Sequence, residues 1–143
     1  MDPRMMTYLY CFNVTRDYFE CHEYLESLWL DSGRPVVLKG LIQAAVCLYH
    51  LENGNVRGGW RMWQRAREYL APYGPVYEAI DLHQLIRDID AVFHRVPAAW
   101  RPLMVSPKQV EALGLPIVRV HLTDPAVSEA LAHWSPEQFP PLD

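Results

Sequence analysis

The stretch VVLKGLIQAAVCLYHL, residues 36–51, decides how this chain folds. It is apolar on nearly every side of a helical wheel, which is typical of a helix at the centre of a bundle. Pro35 suits a helix start, where a missing backbone N–H costs nothing. The Asn-Gly-Asn turn at residues 53–55 suits a helix end, because Gly and Asn tolerate the left-handed conformation. We therefore predict a buried central helix over residues 35–51.

Three polar side chains, Lys39, Gln43 and His50, interrupt this apolar run. At about 100° per residue they fall on one side of the helix. A membrane span normally carries few or no charges over about 18 residues, so the stripe argues against one. The stripe faces either water or a partner helix with polar groups of its own. Gly40 lacks bulk, so another helix could approach closely there.

The remaining pattern predicts an all-α fold. A compact bundle of about five helices occupies residues 1–96, and a proline-rich extension in residues 97–143 packs on the bundle or on a second subunit. Eight of the twelve prolines lie from Pro97 onward. The helices are predicted at residues 5–12, 16–30, 35–51, 56–70 and 76–93. Thr15 is the predicted N-cap of the second helix.

The extension itself is expected to hold short elements. A serine or aspartate before proline at residues 106–107 and 124–125 predicts two short helix starts. Alternation over residues 117–122 predicts a short strand, with a second copy of the chain as its candidate partner. Trp100, Trp134 and Phe139 indicate that the extension packs on something.

Composition bounds the class of protein. Half of the 143 residues are hydrophobic and the net charge is −4, which argues against broad binding of nucleic acid. The arginines at 57, 61 and 65 form a basic ridge, which we interpret as a solvated face. Cys11, Cys21 and Cys47 show no disulfide or metal spacing, so we expect buried, reduced thiols in a cytoplasmic protein.

The second helix carries a polar pair inside its apolar arc. His22 and Glu26 are four residues apart, so they are neighbours on one face, and they fall between Phe19 and Trp29 on the wheel. Glu23 lies at the margin of the arc. Because a short loop makes the second and third helices antiparallel neighbours, we expect this pair to meet the polar stripe of the central helix.

Two blocks of the sequence resemble a known family. FECHEYLESLW at residues 19–29 is followed by GLIQAA at residues 40–45 and HLENGN at residues 50–55. Together they are similar to the domain of unknown function 309, a family of small helical bacterial and archaeal proteins. The resemblance covers roughly residues 12–89. It implies an all-helical fold, and it implies no activity, because none is established for the family.

Three interpretations of the polar cluster stay open. In the first, His22 satisfies a buried Glu26 carboxylate and the cluster fixes the register of two helices. In the second, His22, Glu26 and His50 hold a divalent transition metal ion, since imidazole and carboxylate suit such ions. In the third, His22 is a catalytic general base that Glu26 orients. Glu23, Trp29, Gln43 and His50 are the predicted binding cluster around the pair.

Two functions follow. The first is a soluble, self-associating structural or interaction protein, with the buried His-Glu-Gln cluster as its keystone. The alternative is a metal-dependent or His/Glu general-base enzyme that acts on a small molecule. Under both hypotheses we expect a homo-oligomer, with neither a membrane nor a nucleic acid as partner.

Overall fold

The computed structural model of the chain describes residues 1–136 and confirms the all-α prediction. Five helices form the bundle, and two short helices follow in the extension. The bounds are α1 (Pro3–Tyr10), α2 (Tyr18–Asp31), α3 (Val36–Glu52), α4 (Val56–Leu70), α5 (Leu82–Arg95), α6 (Pro107–Glu111) and α7 (Pro125–Ala132). A small antiparallel hairpin, β1 (Val76–Tyr77) and β2 (Ile80–Asp81), joins α4 to α5 and was not predicted.

Helix α3 lies at the centre, as the apolar run predicts, and ten of its residues are buried. The close approach expected at Gly40 is made by α4, since a Cβ there would stand 2.8 Å from a methyl group of Leu70. A second glycine, Gly59 on α4, brings the two helices together in the same way, because its Cβ would stand 2.8 Å from the carbonyl oxygen of Cys47. Two glycines on opposite helices therefore set the α3–α4 distance.

Polar contacts attach α1 to its neighbours. The Tyr8 hydroxyl donates to the Leu41 carbonyl of α3 over 2.7 Å. The Arg4 guanidinium donates to Ser27 and to the Asp31 carboxylate of α2, over 3.1 and 2.6 Å. Because the Asp31 side chain is 68% exposed, its ion pair with Arg4 contributes at most about 1 kcal/mol. Together with the bond to Ser27 it helps to fix α1 against α2.

The prediction that Thr15 caps the second helix is wrong. Helix α1 does not break at Asn13 but continues as a wider π-helical turn through Cys11–Thr15, in which the Thr15 hydroxyl donates to the Cys11 carbonyl. Arg16 ends that turn in the left-handed region, at φ 55°. The N-cap is Asp17, whose carboxylate accepts the backbone N–H of Glu20.

The extension lies against the bundle of the same chain, with Val110, Val118, Val120 and Leu131 buried in the common core. Both predicted short helices are present. Ser106 caps α6 through a reciprocal capping box, and Asp124 caps α7 by accepting the N–H of Ala126. Phe139, which we expected to take part in this packing, lies outside the described residues.

The predicted strand at residues 117–122 is wrong. The segment is extended, but it forms only a single bridge, from Leu122 to Ile80 of β2. The backbone groups of Val120 bind a side chain: the Asn13 amide donates to the Val120 carbonyl over 2.9 Å and accepts the Val120 N–H over 2.8 Å. The segment therefore finds its partners within its own chain.

The three cysteines are free and buried, as predicted. Burial raises the pKa of the Cys11 thiol to about 11, and it raises the pKa of the Cys21 and Cys47 thiols as well. Across residues 1–136 none of the helices combines the length and the hydropathy that crossing a lipid bilayer requires.

Candidate functional site

The predicted polar residues lie where α2 and α3 run side by side in opposite directions. The ring of Phe19, at the start of α2, is 5.7 Å from that of Tyr49, at the end of α3. We call the surface along this contact the α2–α3 face. Its residues are Phe19, His22, Glu23, Glu26, Trp29 and Leu30 of α2, with Val36, Lys39 and Gln43 of α3.

The His22–Glu26 pair forms as the spacing predicts. The distance from Nε2 of His22 to Oε2 of Glu26 is 2.7 Å, and Nδ1 of His22 is 3.9 Å from a carboxylate oxygen of Glu23. The prediction that the pair is buried is wrong, because the His22 side chain is 31% exposed and that of Glu26 is 43% exposed. An ion pair at this exposure contributes at most about 1 kcal/mol.

His50 does not join this pair. Its Nδ1 faces the side-chain amide of Asn55 at 3.4 Å, and the Asn55 Oδ1 accepts the backbone N–H of Gly58 over 3.0 Å. Asn55 is therefore the N-cap of α4. Replacing such a cap by alanine typically costs about 1 kcal/mol of stability. We call residues 50–59 the α3–α4 turn, and His50 belongs to it.

The predicted metal ligands His22, Glu26 and His50 are not brought together as one set. In the part of the chain that the structure describes, no three His, Cys, Asp or Glu side chains come close enough to share a metal ion. His22 and Glu26 would supply two ligands at most, whereas structural zinc sites use four and catalytic ones three. Any metal on this face would need further ligands from another molecule.

Two buried polar atoms on the α2–α3 face lack a hydrogen-bond partner within residues 1–136. They are the indole Nε1 of Trp29, a donor, and the Oε1 of Gln43, an acceptor. The guanidinium of Arg34, 5.5 Å from the centre of the Trp29 ring, covers the indole by a cation–π contact. An unsatisfied buried group costs about 1–3 kcal/mol, so this face is the least satisfied part of the bundle surface.

Apolar side chains are exposed around these atoms. Phe19 is 51% exposed, and Leu30 and Val36 at the other end of the face are 48% and 44% exposed. Lys39 does not pair with the acids of α2. Its ammonium lies 5.2 Å from the centre of the Tyr69 ring on α4, as a cation–π contact. The face thus combines exposed apolar groups, both signs of charge and unsatisfied polar atoms.

The tryptophans beside the basic ridge are engaged within the chain. Trp63 is buried and donates its indole N–H to Asp90 over 2.8 Å. The Trp60 ring lies 4.1 Å beneath the guanidinium of Arg101 and 5.9 Å from the ring of Phe93. Arg57 and Arg61 are exposed on the surface of α4.

Sequence reasoning missed a second site altogether. A cavity of about 550 Å³ lies between the bundle and the extension, and Arg16, Tyr18 and Glu52 are among its lining residues. These residues come from different elements and share no periodic pattern. The start of α2 and the end of α3 bring these residues together, and the extension adds the opposite wall of the cavity.

Comparison with known proteins finds a family model that matches part of the chain. The model of the Domain of unknown function (DUF309) matches residues 5–62, which confirms the resemblance seen in the sequence. The uncharacterized protein YpuF of Bacillus subtilis (strain 168) is 34% identical over 94 residues, which cover 62% of this chain and 54% of YpuF. The match therefore spans about half of that relative. No solved structure matches this chain.

The matched segment runs from α1 into α4. It contains the α2–α3 face and the α3–α4 turn, and it leaves out the hairpin, α5 and the extension. The face and the turn thus lie within the segment that the family model matches, whereas most of the residues that line the cavity lie outside it.

Proposed function

We propose that this chain, whose residues 5–62 match a domain of unknown function, is an interaction module that self-associates through its α2–α3 face. The observation that carries the proposal is the pair of unsatisfied buried atoms, Trp29 Nε1 and Gln43 Oε1, on a face that also exposes Phe19. Buried polar groups in native proteins are nearly always hydrogen-bonded. A partner that supplied hydrogen bonds to these atoms and covered Phe19 would complete such a face.

The chemistry of the face favours a second copy of the chain as the partner. In a dimer with two-fold symmetry, the same patch of both subunits meets itself, so the patch has to be self-complementary. The α2–α3 face carries one unsatisfied donor and one unsatisfied acceptor. Small rotations of Trp29 and Gln43 would let the donor of each copy meet the acceptor of the other.

The charges on the face have the same complementarity. Glu23 and Glu26 lie on α2, while Lys39 lies on α3. If α2 of one copy met α3 of the other, a Lys39 side chain released from its contact with Tyr69 would face the acids of the partner. Like charges would be juxtaposed if α2 met α2 alone, which is unfavourable in an interface.

Light scattering of the full chain across a range of concentrations tests the proposal. We expect a mass of about twice the 16.6 kDa of one chain and a shift toward the mass of one chain in Phe19→Ser. Met104→Ser is the matched control, because Met104 is 72% exposed in the extension, away from the face. A wild-type mass of one chain at every concentration would exclude self-association. An unchanged dimer in Phe19→Ser would exclude this face.

A second candidate function rests on the geometry of His22 and Glu26. The 2.7 Å contact leaves His22 accessible at 31% exposure, and an imidazole oriented by a carboxylate is a common general base. If two faces meet, a second His22–Glu26 pair comes with the second copy. Four ligands of the type that divalent transition metals accept would then be present. The buried free thiols support a reducing, cytoplasmic setting for either function.

Elemental analysis of the untagged protein separates the two candidates. The metal-dependent enzyme requires about one transition metal ion per dimer, and the ion should be lost in His22→Ala and in Glu26→Gln while the fold is kept. His94→Ala is the control, because His94 is exposed on α5, outside the face. A clean dimer without metal would leave the interaction module as the function.

A further inference from the structure

The cavity between the bundle and the extension is separate from the α2–α3 face. One wall is formed by the ends of helices, with Tyr18 from α2, Leu48 and Leu51 from α3, and Val92 from α5. The opposite wall is formed by α6 and the segment after it, which includes Val110 and Val118. At about 550 Å³ the cavity falls in the range of roughly 300–1,000 Å³ that small-molecule sites occupy.

Most of the residues that line the cavity are apolar, and a few charged side chains line it with them. Leu48, Leu51 and Val92 are buried and present aliphatic surface. Arg16, Glu52 and Glu111 are exposed and line the same cavity. A ligand with an apolar body and one charged group would match this division.

Tyr18 adds a hydrogen-bonding group to the apolar part. Its side chain is 8% exposed, and its ring packs edge-on against Phe12 with the centroids 5.3 Å apart. Burial, and then the nearby Glu52 carboxylate, raise the pKa of the Tyr18 hydroxyl to about 12. The phenol is therefore protonated at neutral pH and can donate a hydrogen bond.

The sign of the charge at the rim is negative. Two carboxylates, Glu52 and Glu111, line the cavity, and Arg16 is the cation among its lining residues. Desolvation by burial, and to a smaller extent the Asp17 carboxylate, raise the pKa of the Glu52 carboxyl by disfavouring its charged form. A ligand cation beside Glu52 would favour the ionised carboxylate and so lower its pKa again.

Arg16 stands at the rim in a conformation that a side chain rarely adopts. Its backbone lies in the left-handed region, at φ 55° and ψ 34°, which is uncommon for residues other than glycine, asparagine and aspartate. Backbone strain of this kind clusters at ligand clamps and other functional sites. In this chain it lies where the π-helical turn meets the cavity.

We propose that this cavity binds a small organic cation, an ammonium group on an aliphatic body, with the ammonium beside Glu52 and the body between α3 and the extension. The shape of the cavity, its aliphatic walls and the acids at its rim support this class of ligand. The ion pair with Glu52 would form at the edge of a low-dielectric cavity, where charge interactions are stronger than in water. No covalent step is involved.

Three probes with the same body test the class of ligand. Octylammonium, octanol and octanoate are each titrated into the full chain at neutral pH, with the heat of binding as the readout. We expect octylammonium to bind at least tenfold more tightly than octanoate, with octanol between them. Preferential binding of octanoate would assign the site to Arg16 and overturn the proposal, as would equal affinity for the three probes.

A variant ties the preference to the proposed residue. Glu52→Gln should reduce the tenfold preference for octylammonium over octanoate to less than threefold while octanol binds as before. Glu68→Gln is the control, because Glu68 is an exposed acid on α4 outside the cavity, and it should keep the tenfold preference. An unchanged preference in Glu52→Gln would overturn the proposal. Octanol binding in the same variant verifies that the cavity is intact.

Discussion

The α3–α4 turn and the α2–α3 face contain the two halves of one sequence signature, yet they differ in how far their polar groups are used. In the turn, His50 meets Asn55, Asn55 caps α4, and Gly54 accepts the N–H of Val105 from the extension over 2.8 Å. In the face, His22 and Glu26 are half exposed and two buried atoms beside them have no partner within residues 1–136.

This difference separates residues that stabilise the domain from residues that remain available to bind a partner. A histidine followed by polar residues is present in both places, so the residue types alone do not distinguish them. What distinguishes them is the accounting of hydrogen bonds. The turn is complete by this accounting and the face is not, which is why we assign structure to the first and binding to the second.

The largest loss of stability should come from adding a side chain at Gly54, which leaves no room for one against the backbone of Val105. This residue has φ 87°, and a Cβ there would clash with the carbonyl oxygen of Val105. We expect Gly54→Ala to lower the free energy of unfolding by about 3 kcal/mol, as strain and overpacking combine. Gly33→Ala, at φ 83° with nothing within 4 Å, isolates the conformational cost at about 1 kcal/mol. Urea unfolding measures both, and equal losses would show that the turn is not closed against the extension.

A smaller loss is expected when the turn loses its cap. Asn55→Ala removes the acceptor for the Gly58 N–H and the partner of His50, so we expect a loss of about 1–2 kcal/mol. Asn55→Ser should retain most of the stability, because serine also caps helices. Asn53→Ala, which removes an exposed bond to the Tyr49 carbonyl, is the neighbouring control. If Asn53→Ala lowered the free energy of unfolding as much as Asn55→Ala does, loss of the helix cap would not explain the effect of Asn55→Ala.

A pH-dependent effect is expected just beyond the turn, at Glu52. Because its folded-state pKa is raised, the folded state holds its proton more tightly than the unfolded state does. The contribution of Glu52 to stability is therefore greatest at low pH and is lost as the pH rises through the folded-state value. Glu52→Gln should be more stable than wild type at neutral pH and equal to it below about pH 4, near the ordinary carboxyl value. Thermal melts over this range, with Glu68→Gln as the control for one removed charge, measure the difference.

The smallest effect on stability is expected in the α2–α3 face. Glu26→Ala should change the free energy of unfolding by less than about 0.5 kcal/mol, because its pair with His22 is partly exposed and four residues apart on one helix. Glu129→Ala, which removes the 3.0 Å pair with His133 on α7, is matched in spacing and should behave alike. A loss of about 2 kcal/mol in Glu26→Ala alone would support the interpretation that the His22–Glu26 pair holds two helices in register. It would also weaken the contrast with the α3–α4 turn.

The sequence predicts the local elements of the fold well. Helix α3 follows from an apolar run and the caps Ser106 and Asp124 follow from a residue type before proline, since each depends on neighbours in the chain. The π-helical turn at Cys11–Thr15 does not follow in this way. The sequence predicts a break between two helices at residues 13–15. In the structure the Asn13 amide instead binds the backbone of Val120, far along the chain.

The candidate site is predictable only in part, for a related reason. A helical wheel correctly pairs His22 with Glu26, but it cannot tell which sides of α2 other helices cover. The alternation over residues 117–122 is also real, since Val118 and Val120 are buried while Ile117 is exposed. What the alternation cannot provide is the partner, which is the Asn13 side chain together with a single bridge to Ile80 of β2.

The contact between Asn13 and Val120 also sets an order in time. The two residues are 107 positions apart, so on a growing chain Asn13 emerges long before the backbone groups that its amide will bind. Until then that amide is hydrated, while the domains of a nascent chain fold from the N-terminal end. The bundle can therefore fold first, and the extension docks afterwards onto a surface that has already formed. A chain halted before Pro107 would lack the wall that α6 and the segment after it give the cavity.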